Sequence, residues 1–248
     1  MTNDIASRIL HCDSACVVVN KIAGEAVEGA GRGMINLCQL LAAELSSAEL
    51  PPDALALPTA VHRIDVPVSG CVVFARSGEA LRFLNTAFSD NGVKKLYWAV
   101  VEPPENNALF SADAVFSGEL IHWIQFNPQK NKSTAYDEPG PGRKKAVLRC
   151  RLAGRGANYL FLEIELITGR HHQIRAQLER LGLHIKGDLK YGARRSEPNG
   201  GIRLHARSIS FPHPSNKDSI ITAQADPPLR DNLWQAFEEA VFEGILFQ

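Results

Sequence analysis

Apolar and polar positions along this chain follow two different periods. Residues 15–19 (Ala-Cys-Val-Val-Val) form a continuous apolar run closed by Asn20, Lys21 and Gly24, which predicts a buried strand ending in a turn. Over 34–46, Ile35, Leu37, Leu40, Leu41 and Leu45 recur at helical spacing. A second β run, 71–75, precedes a helix over 79–89 that carries Leu81, Leu84 and Phe88 on one face. From Lys95 to Glu102 the alternation is that of a strand, so Tyr97 points to the face opposite Leu96 and Trp98.

Further on, residues 127–145 are rich in Lys, Pro and Gly and read as a long loop or hairpin tip. Segments 147–152 and 159–167 read as paired strands. Gly169 ends the second, and 171–181 has helical spacing closed by Gly182. A last strand is expected over 206–211, before His213-Pro214. Residues 226–247 open with Asp-Pro-Pro and carry Leu229, Leu233, Phe237 and Val241, the pattern of an amphipathic terminal helix. No fixed-period repeat is visible. Strands outnumber helices without alternating with them, which predicts an α+β fold with a mainly antiparallel sheet.

Composition changes this picture little. The 248 residues are 45% hydrophobic and 22% charged, as in ordinary globular chains, and no apolar run reaches bilayer-spanning length. The first ten residues carry Asp4 and lack the basic-then-apolar order of a secretory signal, so a cytoplasmic address and no membrane partner are expected. Five scattered cysteines argue against a disulfide framework. Cys12 and Cys16, beside His11, lack a second ligand pair and read as structural cysteines; no metal site is expected.

Charge changes it more. The net charge is zero, yet 126–151 holds seven Lys/Arg against two acids, and 166–207 nine against three. Both ends of the chain are acidic. Basic central stretches are the footprint of phosphate contacts, with solvated loop charge as the competing reading.

Candidate chemistry falls in two pieces. His62-Arg63-Ile64-Asp65 offers one carboxylate, and as a tetrapeptide is most simply a structural ion pair. A kinase catalytic loop is excluded, because there Asp follows Arg directly and a glycine-rich loop precedes it. Thr168-Gly169-Arg170-His171-His172-Gln173-Ile174-Arg175 is more specific: a strand ends, Gly169 permits a sharp turn, and a cationic helix start offers an anion site. His171 and Arg175, four apart, are expected on one helix face. His62, His171 and His172 lack ligand spacing and read as hydrogen-bonding groups.

These residues carry a resemblance. The chain resembles the RluA family of pseudouridine synthases, whose pattern includes H-R-L-D-x-x-T-S-G, K-x-Y, T-G-R-x-H-Q-I-R, G-x-P-I-x-G-D-x-x-Y-G and L-H-A…H-P. Here these stand as HRIDVPVSG (62–70), KLY (95–97), TGRHHQIR (168–175), GLHIKGDLKYG (182–192) and LHARSISFPHP (204–214), in the family's order. Val17 to Gly24 resembles its opening strand and N-K-P-A-G turn. Departures include Ile64 for Leu, Val68 for Thr, Ile22 and His184 for Pro, and no threonine over 145–148.

The resemblance implies a pseudouridine synthase fold with flanking helices and a central cleft, in one catalytic domain spanning 1–248. The matched core runs from about 9 to 214, with no separate N-terminal RNA-binding domain evident. It implies isomerisation of uridine in ribosomal or transfer RNA without metal or cofactor. Asp65 is then the catalytic carboxylate, Arg175 its partner, and Tyr97 the ring that stacks on uracil. Arg63 fills the space of the flipped base or holds its phosphate, and Ile174 supplies an apolar wall. His62, Arg170, His172, Lys144 and Lys145 are the further expected RNA contacts. A monomer is the default. Competing readings are a catalytically silent RNA-binding protein of the same fold and a glycosidic-bond hydrolase, which normally needs a second carboxylate.

Overall fold

A computed structural model describes residues 4–29, 35–47, 53–104, 117–228 and 230–246. In chain order the elements are β1 (Ile9–Cys12), β2 (Cys16–Lys21), α1 (Leu37–Glu44), β3 (Ala54–Ala60), β4 (Ser69–Ser77), α2 (Gly78–Ser89), β5 (Lys94–Glu102) and β6 (Ser117–Asn127). There follow β7 (Lys132–Tyr136), β8 (Lys144–Arg155), β9 (Leu160–Leu166), α3 (Gln173–Arg180), β10 (His184–Ile185), β11 (Leu204–His213), β12 (Asn216–Gln224) and α4 (Asn232–Leu246). The expected α+β class is what forms. Among the described residues no helix is long and apolar enough to cross a membrane. The chain divides into two compact units, 1–95 with 206–228, and 96–205 with 229–248.

In the first unit the strand order is β1-β2-β4-β11, with β3 paired to β4 and β12 to β11. β2 and β4 run antiparallel with Cys16 opposite Ala75 and Lys21 opposite Gly70. Every residue of β4 is buried, which explains its unbroken apolar run. Val18, Val73, Ile209 and Phe211 build a core that Ala80 and Leu84 of α2 cover. Ser77 starts α2 by accepting a hydrogen bond from the Ala80 N–H at 3.1 Å.

In the second unit the order is β5-β9-β8-β6-β7, with β10 on β5. Trp98, Val100 and Phe161 meet Trp234 and Phe237 of α4, with Phe237 stacked 4.7 Å from Trp98 and 5.1 Å from Phe161. A separate cluster of Ile124, Ala135, Ala146, Ala176 and Tyr191 lies under α3.

Several elements differ from expectation. Within 127–145 lies β7, paired to β6 from Asn127↔Lys132 to Trp123↔Tyr136, so the loop is shorter than its composition suggested. Strand 206–211 is not the last; β12 pairs with it. Helix α1 occupies 37–44, Asn36 forming a capping box with Gln39, and position 34 lies outside the described residues. Helix α3 starts at Gln173 because His172 adopts a left-handed φ of 50°, so His171 shares no helical face with Arg175. Helix α4 starts at Asn232, not 226: Asp231 accepts from the Trp234 N–H at 3.2 Å, whereas Asp226 pairs with Arg207 at 2.6 Å. Positions 229 and 247 of the expected terminal helix lie outside the described residues.

Two consequences are measurable. At Gly70 (φ +116°) a methyl group would run into the Ala206 backbone, meeting its nitrogen at 2.6 Å. Gly70→Ala should therefore cost about 3 kcal/mol or more through backbone strain and overpacking. A urea midpoint within error of wild type would refute the close approach.

The second concerns His62, whose ring stacks on Phe88 at 4.8 Å and whose Nε2 accepts from the Val73 N–H at 3.2 Å. Burial, with Lys95 adding to it, holds the imidazole down to about 3. A depressed folded-state value means its stabilisation is full above pH 6.5 and is lost as pH falls toward 3. Over that window the urea midpoint of wild type should fall further than that of His62→Gln. Parallel curves would show that the ring does not titrate with unfolding.

Candidate active site

In the first unit the connection from β3 to β4, residues 61–68, carries His62, Arg63 and Asp65. It is tied at both ends and from beneath. Val61 N–H donates to Val73 O at 3.0 Å, and Val68 N–H closes a turn onto Asp65 O at 3.0 Å. Beneath lies Lys21, fully buried at the end of β2. Its ammonium donates to Val66 O at 3.0 Å, Val68 O at 2.6 Å and Ile22 O at 3.0 Å. The Gly24 N–H adds a fourth tie, to Val66 O at 2.8 Å. Burial pulls Lys21 down to about 8, opposed by Glu25 and Asp65 and aided by Arg8. Its positive charge and three carbonyl acceptors make a cationic underside for the turn that presents Asp65.

On that turn Asp65 is partly exposed and Arg63 exposed, while Ile64 and Val68 are buried. The side chain at 68 is therefore buried, where an apolar valine is at no disadvantage. His62 is engaged by Val73 and Phe88, as described, rather than extended to solvent.

In the second unit, the turn from β9 into α3 is organised by Gln173, which is 3% exposed. Its Oε1 accepts from the Arg170 N–H at 2.9 Å and from Thr168 Oγ1 at 2.8 Å; its Nε2 donates to Val147 O at 3.1 Å. Thr168 Oγ1 in turn accepts from the Val147 N–H at 2.9 Å. Arg170 lies exposed across β8, Nε donating to Lys145 O at 3.0 Å, beside the exposed Lys144 and Lys145.

In the first turn of α3, Arg175 is 5% exposed and Ile174 4%. Asp188 takes the Nε–Nη2 edge of the guanidinium in a two-point ion pair, at 2.6 and 2.8 Å. The Tyr191 ring lies 4.7 Å from the same guanidinium and 4.6 Å from Lys132 Nζ. Its hydroxyl accepts from the Ser133 N–H at 2.9 Å, donates to Ser133 O at 3.1 Å, and meets His172 Nδ1 at 2.9 Å. His172 is thereby held at the helix start, and His171 stacks on it at 3.8 Å and against Phe126 at 4.1 Å. Tyr97, 6% exposed, sits on β5 opposite Ile164 of β9, on the face away from the Trp98 stack.

The structure thus gathers His62, Arg63 and Asp65 on one turn, and Arg170, His172, Ile174 and Arg175 around another. Lys21, Gln173, Asp188 and Tyr191 were not singled out from the sequence, although each stands inside a segment quoted for the resemblance. Their signal was a polar residue fixed within an apolar or glycine-bounded stretch. What each one bonds depends on strands distant in sequence.

Comparisons with known proteins place the whole chain. A family profile described as RNA pseudouridylate synthase matches residues 15–180. A protein of Zymomonas mobilis named as an uncharacterized RNA pseudouridine synthase is 30% identical, over 90% of this chain and 95% of its own length. Ribosomal large subunit pseudouridine synthase C of Vibrio parahaemolyticus is 30% identical over 87% of this chain, which spans 64% of that protein. Ribosomal large subunit pseudouridine synthase D of Xylella fastidiosa is 33% identical, over 85% of this chain and 63% of its own length. Among solved structures, human RNA pseudouridylate synthase domain containing 4 superposes with a TM-score of 0.71 at 19% identity, covering 96% of this chain and 94% of that one. With its profile match over the span that holds both the Asp65 turn and the Arg175 helix, the chain belongs to the RluA-type family of RNA pseudouridine synthases, isomerases that act on RNA.

Proposed function

We propose that this chain isomerises chosen uridines of ribosomal RNA to pseudouridine, with Asp65 as the reacting carboxylate. The observation that carries the reading is the Asp65 turn, held from below by the buried Lys21 ammonium through Val66 O and Val68 O. A turn tied in this way keeps its carboxylate pre-positioned, which is what a reacting group needs. The glycosidic C–N bond breaks, uracil turns, and its C5 rejoins C1′ of ribose. Asp65 serves that exchange either by attacking C1′ or by removing a ribose proton. Stacking hides the reacting atoms in a helix, so the target nucleotide is flipped or already unpaired.

The reading assigns Tyr97 as the ring under uracil, Arg175 as the partner of Asp65, and Ile174 as an apolar wall. Arg63, exposed beside Asp65, holds the flipped nucleotide or its place. Arg170, Lys144 and Lys145 serve as phosphate contacts, with His172 and His62 as further RNA contacts. Ribosomal RNA is favoured over transfer RNA by the printed names of the Vibrio and Xylella relatives. The reading treats 1–248 as one catalytic domain, supported by a structural likeness that runs over 96% of the chain. It places a monomer in the cytoplasm.

Asp65→Asn should fold and bind RNA like wild type while releasing no tritium from RNA labelled at uridine C5. Release near the wild-type rate would remove Asp65 from the reaction. Replacing Lys144 and Lys145 by Gln should weaken RNA binding and reduce the slope of log affinity against log salt by up to about 2. An unchanged slope would locate the phosphate contacts elsewhere.

A further inference from the structure

At the far end of β2 from Lys21, side chains from β1, β2 and the end of β11 converge on one carboxylate. Cys16 and Lys21 are five positions apart on the strand, so the two places are separated by roughly 16 Å along it. We propose that His11 Nε2, Asp13 Oδ2 and Cys16 Sγ form a binding site for a zinc-class transition metal ion, with His213 as an outer hydrogen-bond donor to Asp13.

The three ligand atoms all lie within 4.8 Å of one another. An imidazole nitrogen, a carboxylate oxygen and a thiol are the ligand types zinc takes, and three protein ligands with one water is a known coordination pattern for it. Asp13 is fixed for the task. Its Oδ1 accepts from the N–H groups of Ala15 at 2.7 Å and Cys16 at 2.9 Å, which turns Oδ2 toward His11 Nε2, 2.8 Å away. Burial alone would raise the Asp13 carboxyl, but the Cys16 N–H, the His11 ring and the Ala15 N–H hold it below the usual range.

His213 separates inner from outer shell. Its Nδ1 accepts from the N–H groups of Ser215 at 3.0 Å and Asn216 at 3.1 Å. The proton of a neutral ring therefore sits on Nε2, which donates to Asp13 Oδ2 at 3.0 Å and offers no lone pair to a metal. Such a bond orients a ligating carboxylate. No described residue hydrogen-bonds His11 Nδ1, so that ring is at liberty to carry its proton there and present Nε2 as a ligand. Cys16 is buried, whereas His11 and Asp13 are partly exposed and give the ion a route in from solvent.

Burial, with Asp13 and Cys12 adding to it and Arg76 opposing, pushes the Cys16 thiol up to about 12. The Arg76 guanidinium, on Asp13 O and near Cys12 Sγ at 3.8 Å, offsets the thiolate charge. Sequence alone could not supply this set, because Asp13 looks like a turn residue and His213 lies two hundred positions away.

The test uses the full chain, reduced and stripped with chelator, titrated with Co²⁺ and then Zn²⁺. One equivalent of Co²⁺ should give tetrahedral visible bands and a thiolate-to-cobalt charge-transfer band, both displaced by Zn²⁺. Cys16→Ser should lose the charge-transfer band, and Cys12→Ser should keep it. His11→Gln should weaken binding at least tenfold, and His213→Asn should weaken it about 10- to 100-fold through the outer shell. Metal-free melting curves check that each variant folds; if Cys16→Ser does not, the partly exposed His11→Gln decides. Absence of a thiolate band at millimolar Co²⁺, a band that survives Cys16→Ser, or one lost in Cys12→Ser would each overturn the assignment.

Discussion

A buried ammonium under a loop governs the first unit. Moving a lysine out of water carries a cost of several kcal/mol unless its protons are matched. Lys21 is matched by three carbonyls, two of them on the turn that bears Asp65. The arrangement links two elements that sequence keeps apart: the end of β2 and the β3–β4 connection. Because Lys21 stands opposite Gly70 in the β2–β4 ladder, strand register decides which carbonyls lie within its reach. A slip of one residue would turn the ammonium to the other face of the sheet. The conformation of the turn thus rests on the register of the sheet core.

The second unit solves a similar problem with neutral groups. Gln173 closes the β9–α3 turn by bonding both the preceding backbone and β8, and Tyr191 holds His172 against Ser133 of β7. Such fully satisfied buried networks are rigid, since any displacement leaves a polar atom without water or partner. The left-handed backbone at His172 is a product of this network, not of its own propensity. Asp188 and Tyr191, three residues apart around the 3-10 turn that follows β10, address Arg175 from the edge and from the ring face respectively.

Local periodicity revealed α2 and β5 to within one residue and β4 to within two at each end, because they carry helical spacing, a strict alternation and a continuous apolar run respectively. Where patterning was weak, other forces decided. β7 (Lys-Ser-Thr-Ala-Tyr) is polar in composition, yet it pairs with β6 and buries Ser133 and Ala135. β12 was hidden behind His213-Pro214, whose bulge lets the chain reverse and pair again. The start of α3 was misplaced by two residues because a glycine and two cationic positions resemble a cap, while the real constraint is the bonding of Gln173 and His172. At the candidate site, Asp65 and Arg175 were legible as members of motifs. The polar residues that hold them were not, for their partners come from other strands.

The first unit draws on two stretches separated by 110 positions: β4 lies between β2 and β11, and Ile209, Phe211, Ile221 and Ala223 complete the core begun by Val18 and Val73. The second unit in turn takes Trp234 and Phe237 from α4. On a translating ribosome the amino-terminal strands must therefore wait, with β4 lacking a neighbour, until almost the whole polypeptide has emerged. During that interval the apolar run 71–75 of β4 has an edge open to mispairing, so rapid completion of the chain protects it.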